Sequence, residues 1–186
     1  EDLDRFVNDT LIPTVNDWKL DNKSNFLRLG LNSMQQYRIK FILGKITAYV
    51  DALRLGKTTV DDLTSYTQTA VEIEHIMPQT CADKELYGMN DEDFSVYINR
   101  LGNLTLLENS INKSIHNDVY ANKSKAYKQS KFYLTSSLSE LVNQGHDTAI
   151  NRTNSLLFAW SDWNKRSIEE RQEMLYRLSE MIWEMS

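Results

Sequence analysis

The chain has 186 residues, 41% of them hydrophobic and 25% charged, with only six glycines and two prolines; that suits one domain, or one compact domain with a helical extension, and excludes long linker-like tracts. Its net charge of −5 excludes a protein that coats DNA by bulk basicity, though not one that touches a few phosphates, and no apolar run reaches the ~20 residues that cross a bilayer. A single cysteine, Cys81, excludes an internal disulfide and a cysteine-based zinc cage and predicts a reducing, cytoplasmic setting.

The first residues, Glu1-Asp2-Leu3-Asp4-Arg5, have neither the basic start nor the apolar core of a signal peptide. They lack an initiator Met, so a fragment of a longer protein is expected. A helix is predicted from Leu3 to Trp18. A second is predicted from Met34 to Leu55, where Tyr37, Phe41, Ile42, Ile46, Tyr49, Val50 and Leu53 recur at three- and four-residue spacing. Gly56 then suits its C-terminus.

Val71-Glu72-Ile73-Glu74-His75-Ile76 alternates apolar and polar residues and reads as a strand, stopped by Pro78. Residues 79–100 read as a polar, acid-rich excursion with a short helix near Phe94–Ile98. Gly102 allows a turn into a second short strand, Leu104-Thr105-Leu106-Leu107. From about Ser110 the pattern is helical again, with Ala126, Tyr127, Ser130, Leu134, Leu138, Leu141 and Val142 as a buried face. Gly145 interrupts it. A last helix, from Ile168 on, buries Leu175, Leu178, Met181, Ile182 and Met185. The fold class is therefore α+β and mostly helical: two short antiparallel strands and a helix inside a helical frame. Residues 1–70 form a helical N-terminal part, 71–130 the core, and 131–186 the C-terminal helices of the same domain.

Charge is unevenly spread. Between Asn109 and Leu134 lie five lysines (Lys113, Lys123, Lys125, Lys128, Lys131) against one acid, Asp118. Most such runs are solvated helix faces; this one adjoins the strand–strand–helix unit. Three short texts fall on that unit: Glu74-His75-Ile76-Met77-Pro78-Gln79, Leu101-Gly102-Asn103-Leu104-Thr105-Leu106-Leu107, and Asn112-Lys113-Ser114. Together they supply a carboxylate, Glu74, an imidazole, His75, and the amides Asn103 and Asn112. Histidine is the natural base near neutral pH. A hard cation such as Mg²⁺ takes oxygen ligands and needs only one or two from the protein. Phosphodiester hydrolysis asks for that pair of functions. One geometric condition applies: neighbours in a regular strand point to opposite faces, so Glu74 and His75 share a site only if the strand ends or bulges there. Glu72 shares a strand face with Glu74; it reads either as an acid that supports the site or, by preference, as a solvated or salt-bridged one.

These texts, with Asn103 and Asn112 nine residues apart, resemble the ββα-metal or HNH nuclease motif. With Asn117, Tyr120, Lys123, Tyr127 and Ser130, and with Trp163, Ile168, Arg171 and Trp183 further on, they resemble the C-terminal domain of GmrSD-type type IV restriction enzymes and SspE-like phage-defence proteins. The resemblance implies a metal-dependent DNA endonuclease that nicks one strand. His75 is then the general base, Asn103 braces the loop and orients His75, and Glu74 and Asn112 hold one Mg²⁺ or Mn²⁺. Lys113, Asn117 and Lys123 contact phosphate or support the site. His116, four residues after Asn112, is an alternative ligand. The implied partners are phage or modified DNA and an N-terminal nucleotide-dependent domain of the same protein; no membrane is implied, and an oligomer is compatible. The rival reading is a catalytically silent DNA-binding or scaffolding domain that keeps the fold.

Overall fold

The strand expected at Val71 pairs with the one expected at Leu104, and that pairing organises the chain. The computed structural model describes residues 22–60 and 62–183; the helix expected from Leu3 to Trp18 lies outside them. A short helix α1 (Lys23–Phe26) is capped by Asn22, whose side chain accepts the Asn25 N–H. It leads to the long helix α2 (Gln36–Arg54) and the single turn α3 (Thr64–Thr67). Strand β1 (Val71–His75) follows. After a polar loop come α4 (Asp91–Tyr97), a 3-10 turn at Leu101–Asn103 and β2 (Leu104–Glu108). The chain then runs through α5 (Asn109–Ile115), α6 (Tyr120–Tyr127), α7 (Tyr133–Ser136), α8 (Ala149–Asn154) and α9 (Lys165–Trp183). The fold is α+β and mostly helical, as expected.

The two strands are antiparallel, with Val71 opposite Glu108 and His75 opposite Leu104. Directly paired residues share a face. Val71, Leu104 and Leu106 therefore meet Ile39, Ile42, Leu43 and Ile46 of α2 and Leu175 and Leu178 of α9 in one core. On the other face Leu107 packs with Ile76, Met77, Tyr120, Tyr127 and Trp163. Covering both faces of so small a sheet removes its apolar surface from water, at roughly 25 cal/mol per Å², where a bare two-stranded hairpin would be marginal.

Several expectations shift. α2 buries Ile39, Ile42, Leu43, Ile46 and Val50, but Tyr37 is 64% exposed; sheet, α7 and α9 surround this helix, so its contacts are not confined to one stripe. The acids Asp91, Glu92 and Asp93 are the first turn of α4, beside the Asn90 cap, where the helix dipole favours negative charge. The helical pattern expected from Ser110 to Val142 is cut into three short helices, and Val142 is exposed. Polar side chains make those breaks by taking backbone N–H groups: Asp118 accepts from Val119 at 2.7 Å and Ser130 from Phe132 at 3.2 Å. The last helix starts at Lys165 rather than Ile168, because Asn164 Oδ1 accepts the Arg166 and Ser167 N–H groups. Met185 lies outside the described residues. No described helix is long and apolar enough to cross a membrane.

Asp51 of α2 ties α7 down by accepting the Tyr133 N–H at 2.8 Å. Burial pushes its carboxyl up to about 6, against the opposing pull of that N–H. A raised folded-state value means the neutral form is preferred in the fold, so this group's contribution is full below its ordinary range near 4 and is lost as pH rises through about 6. Asp51→Asn keeps the acceptor and removes the charge. It is expected to gain up to about 2–3 kcal/mol at pH 8 and almost nothing at pH 4, read from urea melts at the two pH values. An equal effect at both would show that charge burial is not the cause.

Candidate active site

Asn103 closes β1. Its backbone carbonyl accepts the Ile76 N–H at 2.9 Å. Its side-chain Oδ1 accepts the Met77 N–H at 2.9 Å and the Trp163 indole N–H at 2.9 Å, while Nδ2 donates to the Ile98 carbonyl at 2.8 Å. Asn103 is fully buried, so an unpaired amide would be costly there and every bond is needed. Asn103 thus braces the turn, but its side chain makes no hydrogen bond to the His75 ring, whose side-chain partner is Asn99. Helix α9 supports the same turn from below. The Arg171 Nη1 donates to the carbonyls of Gly102 at 2.9 Å and Leu104 at 2.7 Å, and Gln172 Oε1 accepts the Gly102 N–H at 2.8 Å. A Cβ on Gly102 would stand 2.2 Å from the Ile168 carbonyl, so only glycine lets turn and helix meet. Arg171 is buried entirely, which lowers its guanidinium to about 9.

His75 is the last residue of β1. The register stays regular through it, so its side chain leaves the strand on the face opposite Glu74. Its Nε2 lies 3.3 Å from Asn99 Oδ1. Burial holds the imidazole below its ordinary value; the Asn99 bond opposes this, and the Lys123 charge adds to it. That shift favours the neutral ring, the form a proton acceptor needs.

Glu74 is buried and its Oε1 is doubly held, by Lys123 Nζ at 2.6 Å and the Tyr127 hydroxyl at 3.0 Å. Lys123 Nζ also donates to the His75 carbonyl at 2.7 Å. Burial raises the Glu74 carboxyl, and Lys123 leads the groups that oppose it; the Tyr127 phenol is pushed well up, first by burial and then by Glu74. Lys123 is only 2% exposed. It supports the site from inside and is not placed to meet a phosphate.

Asn112 meets a different acid. Its Nδ2 donates to Glu72 Oε2 at 2.6 Å, and Asn109 donates to Glu72 Oε1 at 2.5 Å. Glu72 is accordingly an anchor for two amides of α5 rather than a solvated or salt-bridged acid. Asn117 donates to the Thr80 carbonyl at 2.9 Å and hydroxyl at 2.7 Å, tying down the loop after β1. Lys113 is exposed. α5 stops at Ile115 and His116 turns away at φ 47°, so His116 does not continue the helix face that carries Asn112.

The structure thus brings Asn103 to the end of β1 and Lys123 to Glu74; it does not join Glu74 to Asn112. Sequence reasoning missed Asn99 and the role of Tyr127, and it ranked the supporting role of Glu72 second. Tyr127 had a signal, since it lies four residues after Lys123 on one helix face; Asn99 had none. The donors fit a hard divalent cation in kind. Glu72, Glu74 and Asn112 offer only oxygen ligands, and Asn112 commits its nitrogen to Glu72, which leaves Oδ1 as its ligand atom.

The ion pair has a measurable consequence. Lys123→Met leaves Glu74 buried with an uncompensated charge and is expected to cost about 3–5 kcal/mol. Adding Glu74→Gln should restore much of that loss, as read by urea melts of the single and double variants. Additive losses would show that the two residues are not coupled.

The profile described as "GmrSD restriction endonucleases, C-terminal domain" matches residues 16–178, most of the chain. No curated protein and no solved structure matches it. With this match over the braced strand–strand–helix unit and the helices around it, the chain belongs to the family of GmrSD restriction endonuclease C-terminal domains.

Proposed function

We propose that the chain is an HNH-type, metal-dependent endonuclease domain that hydrolyses DNA phosphodiester bonds, one strand per event. The observation that carries this reading is His75 at a strand end clamped by Asn103, in a chain of a restriction endonuclease family. His75 would take a proton from the attacking water. Glu74 and Asn112 would hold one Mg²⁺ or Mn²⁺, which would supply charge to offset that developing on the phosphate and leaving oxygen. Because the two side chains meet different partners here and His75 leaves β1 on the other face, this reading requires Glu74 to leave Lys123 and the strand end to turn when DNA and metal bind. Lys113, exposed beside Asn112, is the lysine best placed to touch phosphate, while Lys123 and Asn117 support the site. The wider proposal is a cytoplasmic phage-defence role on phage or modified DNA, with a nucleotide-dependent domain elsewhere in the same protein.

A second reading has one specific observation in its favour. Lys123 and Tyr127 already engage Glu74, and His75 leaves β1 on the other face. A domain that binds DNA without cutting it would have no need to release them.

Supercoiled plasmid with Mg²⁺ or Mn²⁺ separates the two. Wild type is expected to yield nicked circles, His75→Ala to lose at least ~100-fold in rate, and Asn112→Ala and Glu74→Gln to weaken calorimetric Mn²⁺ binding as well as nicking. Equal nicking by wild type and His75→Ala would remove His75 from the mechanism. Plasmid binding without nicking by the wild type would favour the silent domain.

A further inference from the structure

A neutral imidazole carries one N–H donor and one lone pair, and which nitrogen holds which depends on its neighbours. His75 Nε2 faces Asn99 Oδ1 at 3.3 Å. Asn99 Nδ2 donates to Asn32 Oδ1 at 2.8 Å, and Asn32 Nδ2 donates to the Ser95 backbone carbonyl at 3.3 Å. The far end of this chain sets its direction, because a backbone carbonyl can only accept. Asn32 must turn its nitrogen to Ser95 and its oxygen to Asn99. Asn99 must then turn its nitrogen to Asn32 and its oxygen to His75. An oxygen facing Nε2 requires the hydrogen to be on Nε2. Reversing Asn99 would set its Oδ1 against Asn32 Oδ1, and reversing Asn32 as well would set Asn32 Oδ1 against the Ser95 carbonyl.

The backbone keeps the two asparagines in place. Leu31 N–H donates to the Asn99 carbonyl at 2.8 Å and Leu101 N–H to the Leu29 carbonyl at 2.8 Å, on either side of a bridge between Gly30 and Arg100. A Cβ on Gly30 would stand 2.1 Å from the Asn99 carbonyl, so the segments approach this closely only with glycine there. Ser95 lies in the last turn of α4, where carbonyls lack a partner within the helix.

We infer that Asn99, held by Asn32, is the positioning residue that keeps the His75 imidazole in its Nε2–H tautomer and leaves Nδ1 as the atom that accepts a proton. The consequence for cutting rests on the hydrolase reading above; the tautomer itself does not. Asn99 touches the base and not the substrate. It acts as a histidine's orienting partner does elsewhere, by fixing both tautomer and ring orientation.

The test reads the tautomer directly, by long-range ¹H–¹⁵N correlation on the ¹⁵N-labelled chain at a pH where the ring is neutral. The exposed His116 and His146 serve as internal references. Wild-type His75 is expected to show the Nε2–H pattern. Asn99→Leu, which removes the acceptor, should give a mixture of tautomers and slow plasmid nicking by roughly 10–100-fold. Asn99→Asp, which can only accept, should keep the Nε2–H form and most of the rate. Asn32→Leu, at an exposed position, should loosen the preference even if Asn99→Leu does not fold. An Nδ1–H ring in the wild type, an unchanged tautomer in both leucine variants, or a lost preference in Asn99→Asp overturns the inference. An Nε2–H ring in a chain that nicks no DNA leaves the inference standing and sinks the hydrolase reading. An Nδ1–H ring in a chain that nicks does the reverse.

Discussion

The site depends on one buried amide. Asn103 satisfies two consecutive N–H groups at the end of β1 with its own carbonyl and side chain, holds the Ile98 carbonyl, and accepts the Trp163 indole. Each of these bonds contributes about 1 kcal/mol net to folding, and leaving a buried partner unpaired costs more than making the bond gains. The chain leading into the strand end, the turn before β2 and the helical frame are therefore tied together through one side chain. Arg171 and Gln172 extend the same logic. They give α9, far along the chain, four hydrogen bonds to the backbone of residues 101–104, around Asn103. The C-terminal helix is thus part of the site's support and not an appendage to it.

Charge is organised by burial more than by count. Five lysines cluster between Asn109 and Leu134, yet they do different things. Lys123 is enclosed and neutralises Glu74. Lys128 pairs with Glu140 at the surface, where such a pair contributes little. Lys113 stays exposed beside Asn112. A buried ion pair is weak evidence of stability, because desolvation of both ions opposes their attraction. Its clearer effect is placement: Lys123 also grips the His75 carbonyl, so one cation links the acid of β1 to the backbone of the base. The surface acids complete the picture, since those before Phe94 serve as the first turn of α4.

Much of the scaffold was legible in the residues. Alternation announced β1 and Pro78 its end, while the brace at Asn103 came only from the family resemblance. The helix boundaries after Ser110 were not legible. Asp118 and Ser130 compete for backbone N–H groups, and whether they win depends on what the surrounding helices allow. The face of α2 was misjudged for a related reason: a helix enclosed on several sides has no single apolar stripe to read.

Sequence by itself determined the kinds of group available and their order: an acid and an imidazole adjacent at a strand end, and amides nine residues apart in the turn and the following helix. Local rules of alternation and termination suffice for that, because they act over a few residues. Tertiary structure alone decided the partners. Glu74 met Lys123 and Tyr127, Asn112 met Glu72, and His75 met Asn99. Those contacts span 24 to 53 residues of chain. They follow from how α4, α5 and α6 dock against the sheet, and packing at that range leaves no periodic trace in the order of amino acids.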